Sequence, residues 1–274
     1  MNIRAISDAE FTQFQRFIFE AAGISLSSSK KALVSGRLEK RLRHYRVDSY
    51  GAYSQLLASG KEPGEVQIAV DLLTTNETYF FRESGHFDFL REQALAAARR
   101  SQPFRVWSAA SSSGEEAYSI AMVLADCLDS TPWEVLGSDI SSRVLAGASA
   151  GHYQMERARH IPPPYLRRFC LKGIGPQDGT LLMERNLRSK VRFIQVNLNQ
   201  ALPELGLFDV IFLRNVMIYF NDDTKRQVVA RVLSLLKPGG HFCIGHSETL
   251  NQINTTVHTL SPSIYRKPQA QAHA

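Results

Sequence analysis

SAASSSGEEAYS, from Ser108 to Ser119, is the stretch on which the fold class turns. It follows the apolar run Phe104 to Trp107 and leads into Tyr118-Ser-Ile-Ala-Met-Val-Leu, so it joins a short buried strand to an amphipathic helix. Turns of this kind hold phosphate when several glycines let backbone amides close in and the helix N-terminus is free of competing charge. Here there is one glycine, Gly114, and the first helical turn carries Glu115 and Glu116. A pyrophosphate would be repelled, whereas an ammonium or a sulfonium would be favoured. Both glutamates also complement the helix dipole, an effect of about 0.3–1 kcal/mol each, and that simpler explanation stays open for either.

Outward from this turn, short apolar runs alternate with segments of helical length. Phe104 to Trp107, Trp133 to Gly137, Val191 to Val196, Phe208 to Leu213 and His241 to Gly245 read as strands of a parallel, doubly wound α/β sheet covered on both faces. Ligands of such sheets sit beyond the carboxyl ends of the strands, where strand order reverses. The alternation breaks between Gly151 and Lys190, where IPPPYLRRF, LKGIGPQDGT and LLMERNL predict a small antiparallel β insertion over about 152–190.

Residues 7 to about 75 read as helices only. Ser7 and Glu10 form a capping box ahead of Phe11, Phe14, Phe17 and Ile18; a basic helix capped by Ser29 follows, then Ser49 to Ala58 and Glu65 to Leu73. Breaks fall at Gly23, Gly60 and Pro63-Gly64. The expected organisation is an all-α domain over 1–75 and a sheet domain over 76–274, with a polar tail after Lys267.

With 274 residues, 44% of them hydrophobic and 21% charged, the chain can bury a full core. No segment approaches the roughly 18 uninterrupted apolar residues of a membrane span, and the N-terminus lacks an apolar signal region, so a cytoplasmic location without membrane insertion is expected. Cys127, Cys170 and Cys243 are widely spaced, which indicates neither a disulfide framework nor a zinc site, and no metal is expected. The net charge of +6 is concentrated between Lys30 and Arg46, where seven bases face Glu39 alone. Leu33, Val34, Leu38 and Leu42 form the apolar stripe of that helix, leaving a basic face for solvent or for an acidic partner.

Residues leaving the strand ends carry the chemistry. Asp139 closes the strand WEVLGSD, 25 residues beyond Gly114, where a carboxylate accepts hydrogen bonds from ribose hydroxyls. It could equally cap the next helix. A nucleoside whose other end is cationic satisfies both loops, and S-adenosylmethionine is such a ligand. In VNLN the Asn197 amide could read the adenine edge and Leu198 could cover its face; FLRNVMIYF offers Arg214, Asn215 and Tyr219; TTNETYFFRE offers Asn76, Thr78 and Arg82 where the two domains meet. Tyr79-Phe80-Phe81, taken alone, reads as core.

NETYFFRES, RVWSAASSSGEEAYSIA, GSDIS, FDVIFLRNVMIYF and LLKPGGHFCIGHSE closely resemble the motifs of the CheR family of chemotaxis-receptor methyltransferases, and the likeness extends from the N-terminal helices to about Tyr265. It implies a Rossmann-like class I methyltransferase sheet. It also implies methyl transfer from S-adenosylmethionine to glutamate carboxylates on chemoreceptor cytoplasmic helices, giving a glutamyl methyl ester and S-adenosylhomocysteine. By this resemblance the cofactor contacts fall on Asn76, Thr78, Arg82, Glu116, Asp139, Asn197, Leu198, Arg214 and Asn215. Ser112 and Ala117 depart from the threonine-like and proline residues common in relatives.

A glutamate is already ionised at neutral pH, so alignment rather than general-base catalysis is required, with Arg82 holding the acceptor carboxylate and Tyr219 lining the transfer site. The resemblance further implies that the β insertion binds a receptor's C-terminal tail on its edge, and that the basic helix faces the receptor's acidic methylation region. A monomer is expected. Two other readings compete: an RNA methyltransferase, for which the basic helix lacks stacking aromatics beyond Tyr45 and Tyr50, and a non-enzymatic nucleoside sensor, which has no need of Arg82 or Tyr219.

Overall fold

The computed structural model describes residues 3–62, 64–128 and 131–269; Pro63 of the expected break, the first two residues and the end of the polar tail, 270–274, lie outside the described residues. The helical region contains α1 (Asp8–Ala22), α2 (Lys31–Tyr45), α3 (Tyr50–Ser59) and α4 (Glu65–Leu73). The capping box at the start of α1 forms as expected: the Ser7 hydroxyl accepts from the Glu10 amide, and the Glu10 carboxylate accepts from the Ser7 amide at 2.8 Å. Ser49 caps α3. Ser29 does not cap α2. It lies in the 3-10 turn Ser28–Lys30 with its hydroxyl against Ser27, and α2 starts at Lys31 without a side-chain cap.

The basic helix is less free than its sequence suggests. Lys31 pairs with Asp8 at 2.8 Å, Arg43 with Glu39 at 2.5 Å, and Arg37 donates to the carbonyls of Leu73 and Thr74 at 3.2 and 2.9 Å. Arg41 forks onto the buried Glu65, which also accepts from the Tyr45 and Tyr53 hydroxyls. Only Lys30, Lys40 and Arg46 of the seven are exposed without an ion-pair partner among the described residues. Three of the seven cations are therefore paired with carboxylates, one of them, Arg41, with a buried one.

The second region holds α5 (Gly85–Ala98), β1 (Phe104–Ser108), α6 (Glu115–Cys127), β2 (Trp133–Asp139) and α7 (Ser142–Ala150). After the insertion come β6 (Val191–Gln195), β7 (Phe208–Leu213), α10 (Asp222–Ser234), β8 (Leu236–Ile244), β9 (His258–Ser261) and β10 (Ile264–Arg266). The sheet order is β6-β2-β1-β7-β8-β10-β9, so strand order reverses between β1 and β7. The first five strands in that order pair in parallel, as the alternating pattern predicts. The last two are antiparallel and were not anticipated, because β9 is exposed along its whole length and carries no apolar signal. Strand β8 begins five residues before the expected His241, across Lys237-Pro238-Gly239-Gly240, where the pairing register with β7 shifts.

The insertion contains β3 (His152–Gln154), α8 (Pro163–Phe169), β4 (Cys170–Lys172), β5 (Thr180–Met183) and α9 (Arg185–Arg188). Its three strands form an antiparallel sheet ordered β3-β5-β4. Two apolar clusters sandwich the large sheet. One joins α1 to α4 and α10 to one face through Phe14, Leu38, Trp107, Ile211 and Val229; the other packs α5, α6 and the insertion on the opposite face through Phe87, Ile120, Phe212 and Leu181. The helical region thus shares a continuous core with the sheet instead of standing apart.

Candidate active site

A crevice partly open to solvent lies at the carboxyl ends of β1, β2, β6 and β7, astride the strand-order reversal. The structure brings Asn76, Thr78, Arg82, Glu116, Asp139, Asn197, Leu198, Arg214, Asn215 and Tyr219 to its walls. Ala22 and Ile24 close the remaining side, because the chain after α1 bridges to the loop after β7: Ile24 pairs with Phe220, and the Ser25 amide donates to the Tyr219 carbonyl at 2.8 Å.

Gly114 makes the first loop possible. Its φ of +96° is one that L side chains avoid, and a Cβ there would stand 2.8 Å from the Ala148 Cβ and 2.9 Å from the Tyr153 hydroxyl. The tight turn starts α6 with Glu116 facing the crevice, where its carboxylate accepts from the Ser108 hydroxyl at 2.7 Å and from Arg214 at 2.9 Å. Burial pushes the Glu116 carboxyl above the usual range despite the opposing pull of Arg214 and Ser108. Glu115 has a different use from the helix-end electrostatics assigned to it. Fully buried, it accepts from the Ser113 hydroxyl at 2.7 Å and pairs with Arg157 of the insertion, whose guanidinium also donates to the Thr78 carbonyl.

Asp139 is buried at the end of β2, its two oxygens accepting from the amides of Ser112 at 2.9 Å and Ser141 at 3.0 Å. Burial raises this carboxyl also, against those backbone donors. It does not cap α7, whose N-cap is Ser141; the first turn of α7 is instead held by Asp71 of α4, which accepts from the amides of Ser142 and Arg143. Asn197 lines the crevice, but its amide is engaged, donating to the Ala21 carbonyl at 2.7 Å and accepting from the Asn199 amide at 3.0 Å. Reading of an adenine edge by that side chain must use its second N–H or second lone pair. Arg82 donates to the Glu77 carbonyl and lies 5.6 Å over the Tyr79 ring, with no carboxylate partner among the described residues.

Two groups were not singled out from the sequence, Glu83 and Glu248. Arg214 is clamped by Glu83 as well as Glu116, and it also donates to the Arg82 carbonyl. Burial alone would raise the Glu83 carboxyl, but Arg214, the His246 amide and Asn215 hold it below its usual range. Glu248 accepts from the amides of Gly245, Asn215 and Met217 and so shapes the loop after β7, in which Asn215 adopts a φ of +57°. The Ser112 hydroxyl holds the Asn76 carbonyl. Glu83 and Glu248 sit inside the family-like motifs FFRES and GHSE, yet nothing in their local pattern says which distant amides and guanidinium they would meet.

Two buried carboxylates pushed upward by desolvation favour a ligand that brings positive charge and hydroxyl donors. Those are the ammonium and ribose of S-adenosylmethionine. The models for the CheR methyltransferase SAM binding domain and the CheR methyltransferase all-alpha domain match residues 76–265 and 9–74. The chain belongs to the CheR methyltransferase family.

Its CheR relatives include the chemotaxis protein methyltransferase of Escherichia coli (strain K12), 41% identical over 266 residues that cover 95% of this chain and 91% of the relative. Chemotaxis protein methyltransferase 2 of Pseudomonas aeruginosa is 42% identical over 259 residues, covering 93% and 92%. Among solved structures, the N-methyltransferase NodS from Bradyrhizobium japonicum in complex with S-adenosyl-L-homocysteine is similar over 68% of this chain and 88% of that one, at 15% identity and a TM-score of 0.40, too remote to add to what the sheet order already gives.

Proposed function

We infer that this CheR-family protein is an S-adenosylmethionine-dependent methyltransferase that esterifies glutamate side chains of chemoreceptors in chemotaxis adaptation. The observation that carries the site assignment is the convergence of the largely buried Glu116, the buried Asp139 and an Arg82 without an ion pair among the described residues on one crevice. When bound, the cofactor supplies an electrophilic methyl on a sulfonium. Glu116 would hold its ammonium, Asp139 its ribose hydroxyls, and Arg214, freed in part from its two carboxylates, its carboxylate. Asn76, Thr78, Asn197, Leu198 and Asn215 complete the walls.

Arg82 would align the acceptor glutamate by a two-pronged guanidinium contact, and Tyr219 would line the transfer point. The half-buried Arg82 gains a partner only when the acceptor arrives, so its contact adds to substrate affinity instead of offsetting a broken ion pair. An RNA substrate is disfavoured by the basic helix, where Lys31, Arg41 and Arg43 are paired with carboxylates and Arg37 is held by backbone carbonyls.

We further propose that the insertion captures a receptor's C-terminal tail. Strand β4 is an edge of the small sheet, and Leu171 on it and Ile174 beyond it are 54% and 80% exposed. A monomeric enzyme acting in the cytoplasm fits this role. No helix among the described residues is long and apolar enough to cross a membrane. The test is incubation with methyl-labelled S-adenosylmethionine and receptor cytoplasmic fragments, followed by mild base. Volatile methanol marks a carboxyl ester, and base-stable label or no transfer would refute the assignment. Arg82→Gln is expected to raise the KM for receptor at least tenfold and to weaken S-adenosylhomocysteine binding by a clearly smaller factor.

A further inference from the structure

Beside the crevice, three side chains outside the proposed chemistry converge on one point. Glu83 turns the chain in the left-handed region, with φ +58°, and delivers His86 into the first turn of α5, where it is only 2% exposed. The His86 Nε2 lies 2.8 Å from the Ser263 Oγ, and the Ser263 hydroxyl donates its own proton to the Pro262 carbonyl at 2.6 Å. Nε2 therefore carries the ring proton, and Nδ1 presents a bare lone pair. That Nδ1 has no hydrogen-bond partner among the described residues, and it faces the Glu83 Oε2 at 3.6 Å. From the loop after β8, the His246 Nε2 comes within 3.9 Å of the same oxygen, and the ligand atoms of all three residues lie within 4.8 Å of one another. The buried His86 Nδ1 is the atom left without a donor; the Glu83 Oε2 beside it accepts from Arg214 at 2.9 Å, and an orphaned buried imidazole nitrogen is costly unless a cation meets it.

We propose that Glu83, His86 and His246 bind a divalent transition-metal ion of the zinc type. Two imidazole nitrogens and one carboxylate oxygen are a zinc ligand set that leaves a fourth position for water, and imidazole excludes calcium and magnesium as the preferred ions. Ligand bonds of about 2.0–2.2 Å in a tetrahedral arrangement place ligand atoms about 3.4 Å apart; the two separations to Glu83, 3.6 and 3.9 Å, are close to this, and within the 4.8 Å bound on the trio the exposed His246 ring swings inward to close the third.

Supporting contacts are in place. Ser263 fixes the His86 ring, while the Asn215 amide group and the His246 backbone hold the other oxygen of Glu83. The adjoining Arg214 is offset by Glu83 and Glu116 together, so the cluster has an excess of one negative charge before an ion arrives. His246 is 60% exposed and gives the ion a way in. The ion would share Glu83 with Arg214, placing a metal at the edge of the cofactor crevice.

The full-length protein, stripped with a chelator, is titrated with Zn²⁺ alone by calorimetry and with Co²⁺ alone by visible absorption. One equivalent of each is expected, with the cobalt bands of a four- or five-coordinate nitrogen and oxygen site. His246→Ala changes an exposed side chain and keeps the backbone amide that Glu83 uses; it should lower the affinity for both ions at least tenfold. Ser263→Ala, which frees the His86 ring, should lower it tenfold or more without removing a ligand. Absence of binding would overturn the proposal, and so would binding that His246→Ala leaves unchanged, since the ion would then sit elsewhere, for instance on a cysteine.

Discussion

Replacing Arg214 by methionine isolates a charge cluster whose shared cation is buried. The Arg214 side chain is 1% exposed and pairs at 2.9 Å with both Glu83 and Glu116, which are themselves 13% and 12% exposed. Methionine fills comparable space but leaves two carboxylates, and the Arg82 carbonyl, without their shared donor. Removing one partner of a buried pair costs about 3–5 kcal/mol. Here a single cation serves two anions, so the upper half of that range is expected at pH 7.

The pH dependence sharpens the test. In the wild type, the folded-state carboxyl of Glu83 is held low, so it contributes stability at neutral pH that is lost as pH falls through its folded value. In Arg214→Met burial dominates, and the folded value of Glu83 rises above the unfolded one. The sign reverses: the contribution is present at low pH and lost as pH rises. Glu116, already raised by burial, moves further the same way. The stability gap between wild type and variant should therefore shrink by about 1 kcal/mol or more between pH 7 and pH 5. Adding Glu116→Gln to the variant should restore about 0.5–3 kcal/mol at pH 7, as contacting residues couple. Urea unfolding followed by two probes measures both quantities. A loss below about 1 kcal/mol, or a gap that does not narrow on acidification, would refute the assigned role of Arg214.

Asp139→Asn turns an N–H toward the amides of Ser112 or Ser141 and removes a charged acceptor; calorimetry should show S-adenosylhomocysteine binding weakened by about 1.5–3 kcal/mol, and an unchanged Kd would place the ribose elsewhere. Gly114→Ala forces an L residue to a φ of +96° against Ala148 and Tyr153, so a loss of about 1–3 kcal/mol is expected in thermal denaturation, and a Tm within 1 °C of wild type would contradict it. Glu65→Gln leaves Arg41 without its forked carboxylate in the bundle and should cost about 2–4 kcal/mol by urea unfolding, while leaving cofactor binding unchanged, because Glu65 is remote from the crevice.

Much of the crevice was readable because its residues follow strand ends directly. Asp139, Arg214 and Glu116 stand at fixed short offsets from apolar runs, and a doubly wound sheet brings such offsets to one edge. The strands β9 and β10 carry too little pattern to detect: β9, at the sheet edge, is exposed along its length, and β10 has only three residues. The pairing of the basic helix was hidden for a related reason. A run of like charges records what a helix carries and is silent on which carboxylates from α1 and α4 will lie against it. Asn197 shows the same limit, since its amide had a plausible ligand in sequence and has Ala21, from a helix 176 residues earlier, in the fold.

From the sequence alone came the alternating helix and strand order, the β insertion, the helical N-terminal region and the strand-end acids, because periodicity and turn chemistry act over a few residues. Tertiary structure alone decided which charges meet. Glu115 finds Arg157 at 42 residues' distance, and Arg214 finds Glu83 at 131. Such pairs are selected by packing, where an unpaired buried charge is too costly to keep, and no local spacing announces the partner.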